Sequence, residues 1–340
     1  MEDRNPNDTY LAMQAIAPGR LQAARLPVRE PGPDQVRIRV EACGVCHSDA
    51  ATIEGQFPIE WPRVPGHEVV GRIEAVGADV RRWQLGQRVG VGFLGGFCGY
   101  CDFCREGQLV NCSNQQYTGV HRDGGYAEVM LAKASALVSI PDTLSSVEAA
   151  PLLCAGLTTF NALRNSGARA GDLVAVLGIG GLGHLAVQYA RQMGFEVAAI
   201  GRGDDKAGLA KQLGAHHYLD SAASDAAAAL RALGGARLIL VTASGGNTLA
   251  RNFKALRPGG GVIVLGVGPE IAVSSIDLVF GERRLEGSLT GDPATGDATL
   301  RFSALSGVSP MIETSSLAQA ADAYAKMLAG KARFRVVLKM

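Results

Sequence analysis

The chain has 340 residues, 47% of them hydrophobic, enough for two domains with separate cores. Its formal net charge is +1, so it lacks the basic footprint of a nucleic-acid binder, and no stretch approaches the ~18 apolar residues of a membrane span. Residues 1–20 carry Glu2, Asp3, Arg4 and Asp8 without an apolar run, which argues against a signal or transit peptide.

In chain order, residues 10–145 are rich in Gly, Val and short alternating runs. The turn Pro31-Gly32-Pro33-Asp34 precedes residues 35–41, which alternate polar and apolar as a half-buried strand does. Residues 69–77 and 87–91 read as further strands. The expectation is a compact, β-barrel-like domain with irregular loops.

Two stretches within it carry chemistry. Cys43-Gly44-Val45-Cys46-His47-Ser48-Asp49 offers a thiolate at Cys46, and Pro65-Gly66-His67-Glu68 offers an imidazole at His67 with Glu68 beside it. Cys154 is the candidate third ligand. Thiolate and imidazole suit zinc, and three protein ligands leave the fourth position open, as in a catalytic site. Cys43 reads as a buried core residue. Cys98, Cys101, Cys104 and Cys112 then fall within one short loop. Four such cysteines make a closed, structural zinc site holding down a lobe at residues 95–113. An iron–sulfur cluster is the alternative, set aside because a second Cys/His site fits the same metal. The seven cysteines, odd in number and bunched, point to metal sites in a reducing cytoplasm.

After Cys154 helical and short apolar runs alternate. Leu173-Val174-Ala175-Val176-Leu177 is apolar throughout, as a buried parallel strand is. Gly178-Ile179-Gly180-Gly181-Leu182-Gly183 follows, then a helix over 184–193 closed by Gly194, then a strand at 196–200. That order makes the glycine pattern a dinucleotide-binding loop. Further strands are expected at 237–241, 261–265 and 285–289, with helices near 222–233 and 248–256. Six strands make a doubly wound parallel sheet. An amphipathic helix over 317–329 and a strand over 333–340 close the chain.

Taken together, Gly44-Val45-Cys46-His47-Ser48-Asp49, Gly66-His67-Glu68, the four lobe cysteines, Leu153-Cys154-Ala155-Gly156-Leu157-Thr158-Thr159, the glycine loop and Phe334-Arg335-Val336-Val337-Leu338 resemble the zinc-dependent alcohol dehydrogenases of the medium-chain dehydrogenase/reductase family. The resemblance runs almost the whole length. It implies an α/β fold. A GroES-like β-rich catalytic domain would span 1–156 and 292–340, and a Rossmann cofactor domain 157–291. Cys46, His67 and Cys154 would hold the catalytic zinc, with Glu68 as an alternate ligand. Asp49 would orient His67, and Ser48 would pass the substrate proton outward. Relatives often carry a His three residues after that Ser; here Ala51 stands there, so the relay would end on His47, a cofactor ribose or water. Thr158, Gly178, Gly180, Gly181, Leu182, Gly183, Val267 and Arg335 would meet the cofactor, Arg335 at its pyrophosphate. A homotetramer is implied, with a dimer as the alternative.

The implied reaction moves hydride between a primary or simple secondary alcohol and a nicotinamide cofactor, with zinc as Lewis acid. Phe57, Trp61, Phe93 and Leu94 are candidate pocket walls. Two rivals are a zinc-independent, quinone reductase-like or nucleotide-binding relative and a non-redox zinc hydrolase. The paired ligand sets oppose the first and the glycine loop opposes the second. An NAD-preferring sheet places Asp or Glu at the end of its second strand. Here that position is Gly201, expected to leave room beside the ribose, and Arg202 follows with donors suited to a phosphate. NADP is therefore expected, with NAD as the alternative, in which Asp204 or Asp205 would reach the ribose.

Overall fold

The computed structural model describes residues 9–242 and 246–340; Glu2, Asp3, Arg4 and Asp8 lie outside them. Chain contacts divide it into two units, one of Met1–Cys154, Thr290–Leu305 and Pro310–Met340, the other of Ala155–Leu289 and Ser306–Ser309. Among the described residues no helix is long and apolar enough to cross a membrane.

The first unit is built on the strand Gln35–Val45. It pairs antiparallel with Val69–Val76, Val129–Lys133 and Arg335–Lys339. The sheet extends through Arg88–Val91 and Leu137–Ser139 on one side and Ile312–Ser316 on the other. The alternation in residues 35–41 predicts one solvated face, but Arg37 is only 3% exposed. Its guanidinium is satisfied by Glu74 at 2.7 Å, Glu30 at 2.9 Å and the Arg29 carbonyl at 3.0 Å, as a buried charge must be. Val36, Ile38, Val69, Ile73, Val89 and Tyr126 form the centre of the core. Each such apolar side chain taken out of water contributes about 1.5–3 kcal/mol.

A hairpin, Thr9–Ala17 with Arg20–Pro27, turns at Gly19 with φ +71°. The amphipathic segment near the end is a 3-10 turn, Leu317–Gln319, leading into the helix Ala320–Leu328.

The second unit is a six-stranded, wholly parallel sheet. Its spatial order is His217–Asp220, Glu196–Gly201, Leu173–Leu177, Ala236–Val241, Leu256–Val264, Arg284–Gly287. This is the doubly wound order, reversing beside Leu173–Leu177, whose five residues are all buried. The helix expected from 222 starts at Ala226. Asp225 stops it there by accepting from the Ala227 and Ala228 amides at 2.9 and 3.2 Å. The helix expected at 248–256 is Gly246–Phe253, because Leu256 already begins the fifth strand.

Candidate metal centres and cofactor loop

Strand register assembles the first cluster. Cys43 pairs with Val69 and Val336 with Val45, and the Gly44 amide donates to the Glu68 carbonyl at 3.0 Å. Cys46 leaves one strand where His67 and Glu68 enter the next and Arg335 begins a third. Cys154 comes from a π-helical turn, Leu152–Gly156. It follows a helix opened by a Ser145–Glu148 capping box and ended at Pro151, which lacks the N–H to continue the α ladder.

Asp49 organises the cluster. Its Oδ1 lies 3.0 Å from His67 Nδ1, and its Oδ2 accepts from the Cys46 amide at 2.9 Å and the Tyr126 hydroxyl at 2.8 Å. With Nδ1 engaged, His67 Nε2 is buried and has no hydrogen-bond partner. The ligand atoms of Cys46, His67, Glu68 and Cys154 all lie within 4.8 Å of one another. A hydrogen bond with Cys154, opposed by burial and aided by the charge on His67, holds the Cys46 thiol well below its usual range. Burial pushes the Glu68 carboxyl up to about 8 against the pull of Arg335.

The donor sets fit zinc. Tetrahedral coordination with Zn–S near 2.3 Å puts two sulfurs about 3.8 Å apart. Cys46 and Cys154 are 3.8 Å apart. In the lobe the corresponding distances are 3.6 Å for Cys98–Cys112, 3.9 Å for Cys101–Cys112 and 4.0 Å for Cys98–Cys104. A disulfide needs about 2.0 Å, and all seven cysteines are free. Backbone amides of Cys98 and Asn114 donate to Cys112 at 3.3 Å, and that of Cys101 to Cys98 at 3.4 Å. Bonds from the Tyr100 and Cys101 amides bring the Cys98 thiol down to about 6 despite some desolvation. Cys101→Ser should therefore lower the thermal midpoint by several degrees and lower the zinc content; unchanged metal and melting would contradict a closed four-cysteine site.

Other expected residues fall less simply. Ser48 and His47 are exposed, on a 3-10 turn His47–Asp49. Ala51 is buried with Phe93 and Val120, so an apolar cluster fills the place where relatives put an imidazole. Phe93 meets the His67 ring edge-on at 5.0 Å. Leu94 is core, while Phe57 and Trp61 are exposed. Arg335 is 4% exposed and its guanidinium is ion-paired with Glu68. Tyr126, which fixes Asp49, carries no motif; only the neighbouring Gly124-Gly125 hinted at a tight approach.

In the second unit the glycine loop sits at the sheet's reversal point. A Cβ on Gly183 would overlap the Gly178 carbonyl oxygen, whereas Gly180 faces open space, where a diphosphate's oxygens need backbone amides. His184 Nδ1 at 2.9 Å from the Gly180 carbonyl ties the loop to the helix Gly183–Gln192. Gly181 and Leu182 are half-buried, Thr158 is buried near the Leu289 carbonyl at 3.5 Å, and Val267 is 97% exposed. Arg202 is exposed. Gly201 does not leave open room: a Cβ there would lie 2.5 Å from the Tyr218 hydroxyl.

Comparison with known proteins places these sites in a family. Residues 32–142 match the alcohol dehydrogenase GroES-like domain and residues 181–305 the zinc-binding dehydrogenase domain. An alcohol dehydrogenase of Aspergillus sp. (strain MF297-2) is 42% identical over 318 residues, 92% of this chain and 93% of that protein. A zinc-binding dehydrogenase of Sinorhizobium meliloti, solved with NADP, superposes with a TM-score of 0.90 at 29% identity, covering 98% of this chain and 100% of that one. Acetophenone reductase of Geotrichum candidum, solved with NAD, superposes with a TM-score of 0.87 at 29% identity, covering 99% of each chain. With both domain signatures in order and a relative matched over more than nine-tenths of each chain, the chain belongs to the zinc-type alcohol dehydrogenases of the medium-chain dehydrogenase/reductase family, oxidoreductases that use a nicotinamide cofactor.

Proposed function

We propose that this chain interconverts primary or simple secondary alcohols and their carbonyl products, with Cys46, His67 and Cys154 holding a catalytic zinc and Cys98, Cys101, Cys104 and Cys112 a structural one. The observation that carries the reading is His67: its Nδ1 is held by Asp49 while Nε2, buried and unpartnered, joins two cysteine sulfurs. When bound, zinc supplies a Lewis acid for the substrate oxygen. Asp49 keeps the His67 ring in one tautomer and orientation. Buried Glu68, paired with Arg335, lies within reach of the same cluster as an alternate ligand. The test is zinc content near two per chain, with turnover of simple alcohols or aldehydes followed by nicotinamide absorbance. A two-zinc protein inert with both cofactors would overturn it.

Ser48 takes the substrate's hydroxyl proton and, being exposed beside His47, hands it to that imidazole or to water. General acid–base assistance is worth roughly 10²–10⁴ in rate, so Ser48→Ala should lose most of kcat while Ser48→Thr keeps it. Equal rates for Ala and wild type, with a deuterium isotope effect showing that chemistry limits, would remove Ser48 from the reaction.

NADP is the favoured cofactor, NAD the alternative. Solved relatives bind either, so local residues must decide. The strand Glu196–Gly201 ends without a carboxylate, and Arg202 is exposed with no ion-pair partner among the described residues. A tenfold kcat/KM preference for NAD would reverse the assignment.

The assembly is inferred to be a cytoplasmic homotetramer, a dimer being the alternative. The strand Arg284–Gly287 is an exposed sheet edge, and Ile276, Val279, Phe280, Leu285 and Leu289 are exposed in the same unit, more bare apolar surface than a monomer usually leaves. A monomer by light scattering at micromolar concentration would contradict both.

A further inference from the structure

The end of the strand Glu196–Gly201 is where sheets of this type read the adenosine ribose, and a neighbouring side chain occupies it. Tyr218 stands on the adjacent strand His217–Asp220, level with Ala199. Ala199 and Gly201, two residues apart, share one face of the sheet. A Cβ at Gly201 would lie 2.5 Å from the Tyr218 hydroxyl oxygen and 2.9 Å from its Cε2. The missing side chain at Gly201 is what gives the ring its place.

The same strand end holds the turn that follows. The Tyr218 hydroxyl donates to the Gly203 carbonyl. Asp220 Oδ1 accepts from the Gly203 and Ala222 amides, both at 2.8 Å. The Ser221 amide and hydroxyl both donate to the Gly201 carbonyl, at 3.0 and 2.7 Å. Both ends of Gly201-Arg202-Gly203 are thus fixed, with Arg202 exposed between them.

We propose that Tyr218 determines cofactor choice: its ring fills the space a ribose-reading carboxylate would need, and its hydroxyl, with Asp220 and Ser221, fixes the turn that offers Arg202 to a 2′-phosphate. This rests on the NADP reading above. Tyr218 is a positioning residue. It acts by exclusion as much as attraction, since selectivity needs the competing ligand disfavoured as well as the right one held. Aspartate at 201 requires the ring to move, so the two positions are coupled.

Fluorescence titration with NADPH and NADH, alongside thermal unfolding, tests this on wild type, Tyr218→Phe, Gly201→Asp and Gly201→Asp/Tyr218→Ala. Tyr218→Phe keeps the ring and loses one hydrogen bond. NADPH affinity should fall by roughly three- to tenfold with NADH nearly unchanged. Gly201→Asp alone overpacks the site and should weaken both cofactors by roughly tenfold. The double variant should regain NADH binding while NADPH stays weak, a non-additive result. If Gly201→Asp alone tightens NADH as the double variant does, the ring is no barrier and the proposal falls. Equal loss of both cofactors in Tyr218→Phe would overturn the positioning role. Tighter NADH binding by wild type would overturn the NADP reading; the coupling between 201 and 218 would then still decide the steric claim separately.

Discussion

Cys46→Ser should abolish turnover while leaving a folded protein that has lost one of two zinc ions. Lewis-acid assistance is worth several kcal/mol, and at about 1.4 kcal/mol per decade its loss costs roughly a thousandfold in kcat. The fold should survive because the core around Cys46 is carried by Val36, Ile38, Val69 and Tyr126, none of which depends on the thiolate. The contrast with Cys101→Ser is the point of the experiment: one change removes chemistry, the other stability. Wild-type rates in purified Cys46→Ser would refute the ligand assignment.

The second large effect is expected at Arg335. Its guanidinium pairs with Glu68 in a site where the two side chains are 5% and 0% exposed. Arg335→Leu leaves Glu68 buried without its cation, and because burial already raises its carboxyl to about 8 it takes up a proton, so the loss should fall below the about 3–5 kcal/mol seen when such pairs are broken. Thermal unfolding should show a marked drop. Adding Glu68→Leu should recover much of it, since a buried pair replaced whole by apolar groups is often neutral or better. If the double variant is no more stable than Arg335→Leu, the ion pair is not what holds this corner together.

The sequence showed what short-range pattern can carry. Cys46, His67 and the four lobe cysteines declared themselves because ligand chemistry restricts residue type. The glycine loop did so because its neighbours were a strand and a helix. What stayed hidden is long-range. Arg335 meets Glu68 across 267 residues, and Tyr126 reaches Asp49 across 77; no periodicity records either. Tyr218 escaped notice because the rule for cofactor choice looks along the second strand and the obstacle sits on the third. The hairpin Thr9–Ala17 and Arg20–Pro27 was missed because its Ala-rich strands hold only Thr9 and Ile16 as β-branched residues, although Pro18-Gly19 marked its turn. The alanine run after 222 has no internal edge, and Asp225 as cap was the one local sign of where its helix begins.

The sheet of the first unit has a consequence for the order in which the protein is made. Its central strand, Gln35–Val45, is flanked on one side by Arg335–Lys339, which the ribosome delivers only after the whole second unit. Until then that edge of the nascent sheet is unpaired, Glu68 lacks its cation, and the environment of Cys46 and His67 is incomplete. The four-cysteine lobe closes on residues soon after Cys112: the Asn114 amide donates to Cys112, and Gln116–Tyr117 pairs with Leu94–Gly96. The cysteine lobe can therefore form in a chain still being synthesised, whereas the corner around Glu68 waits for the strand that brings Arg335.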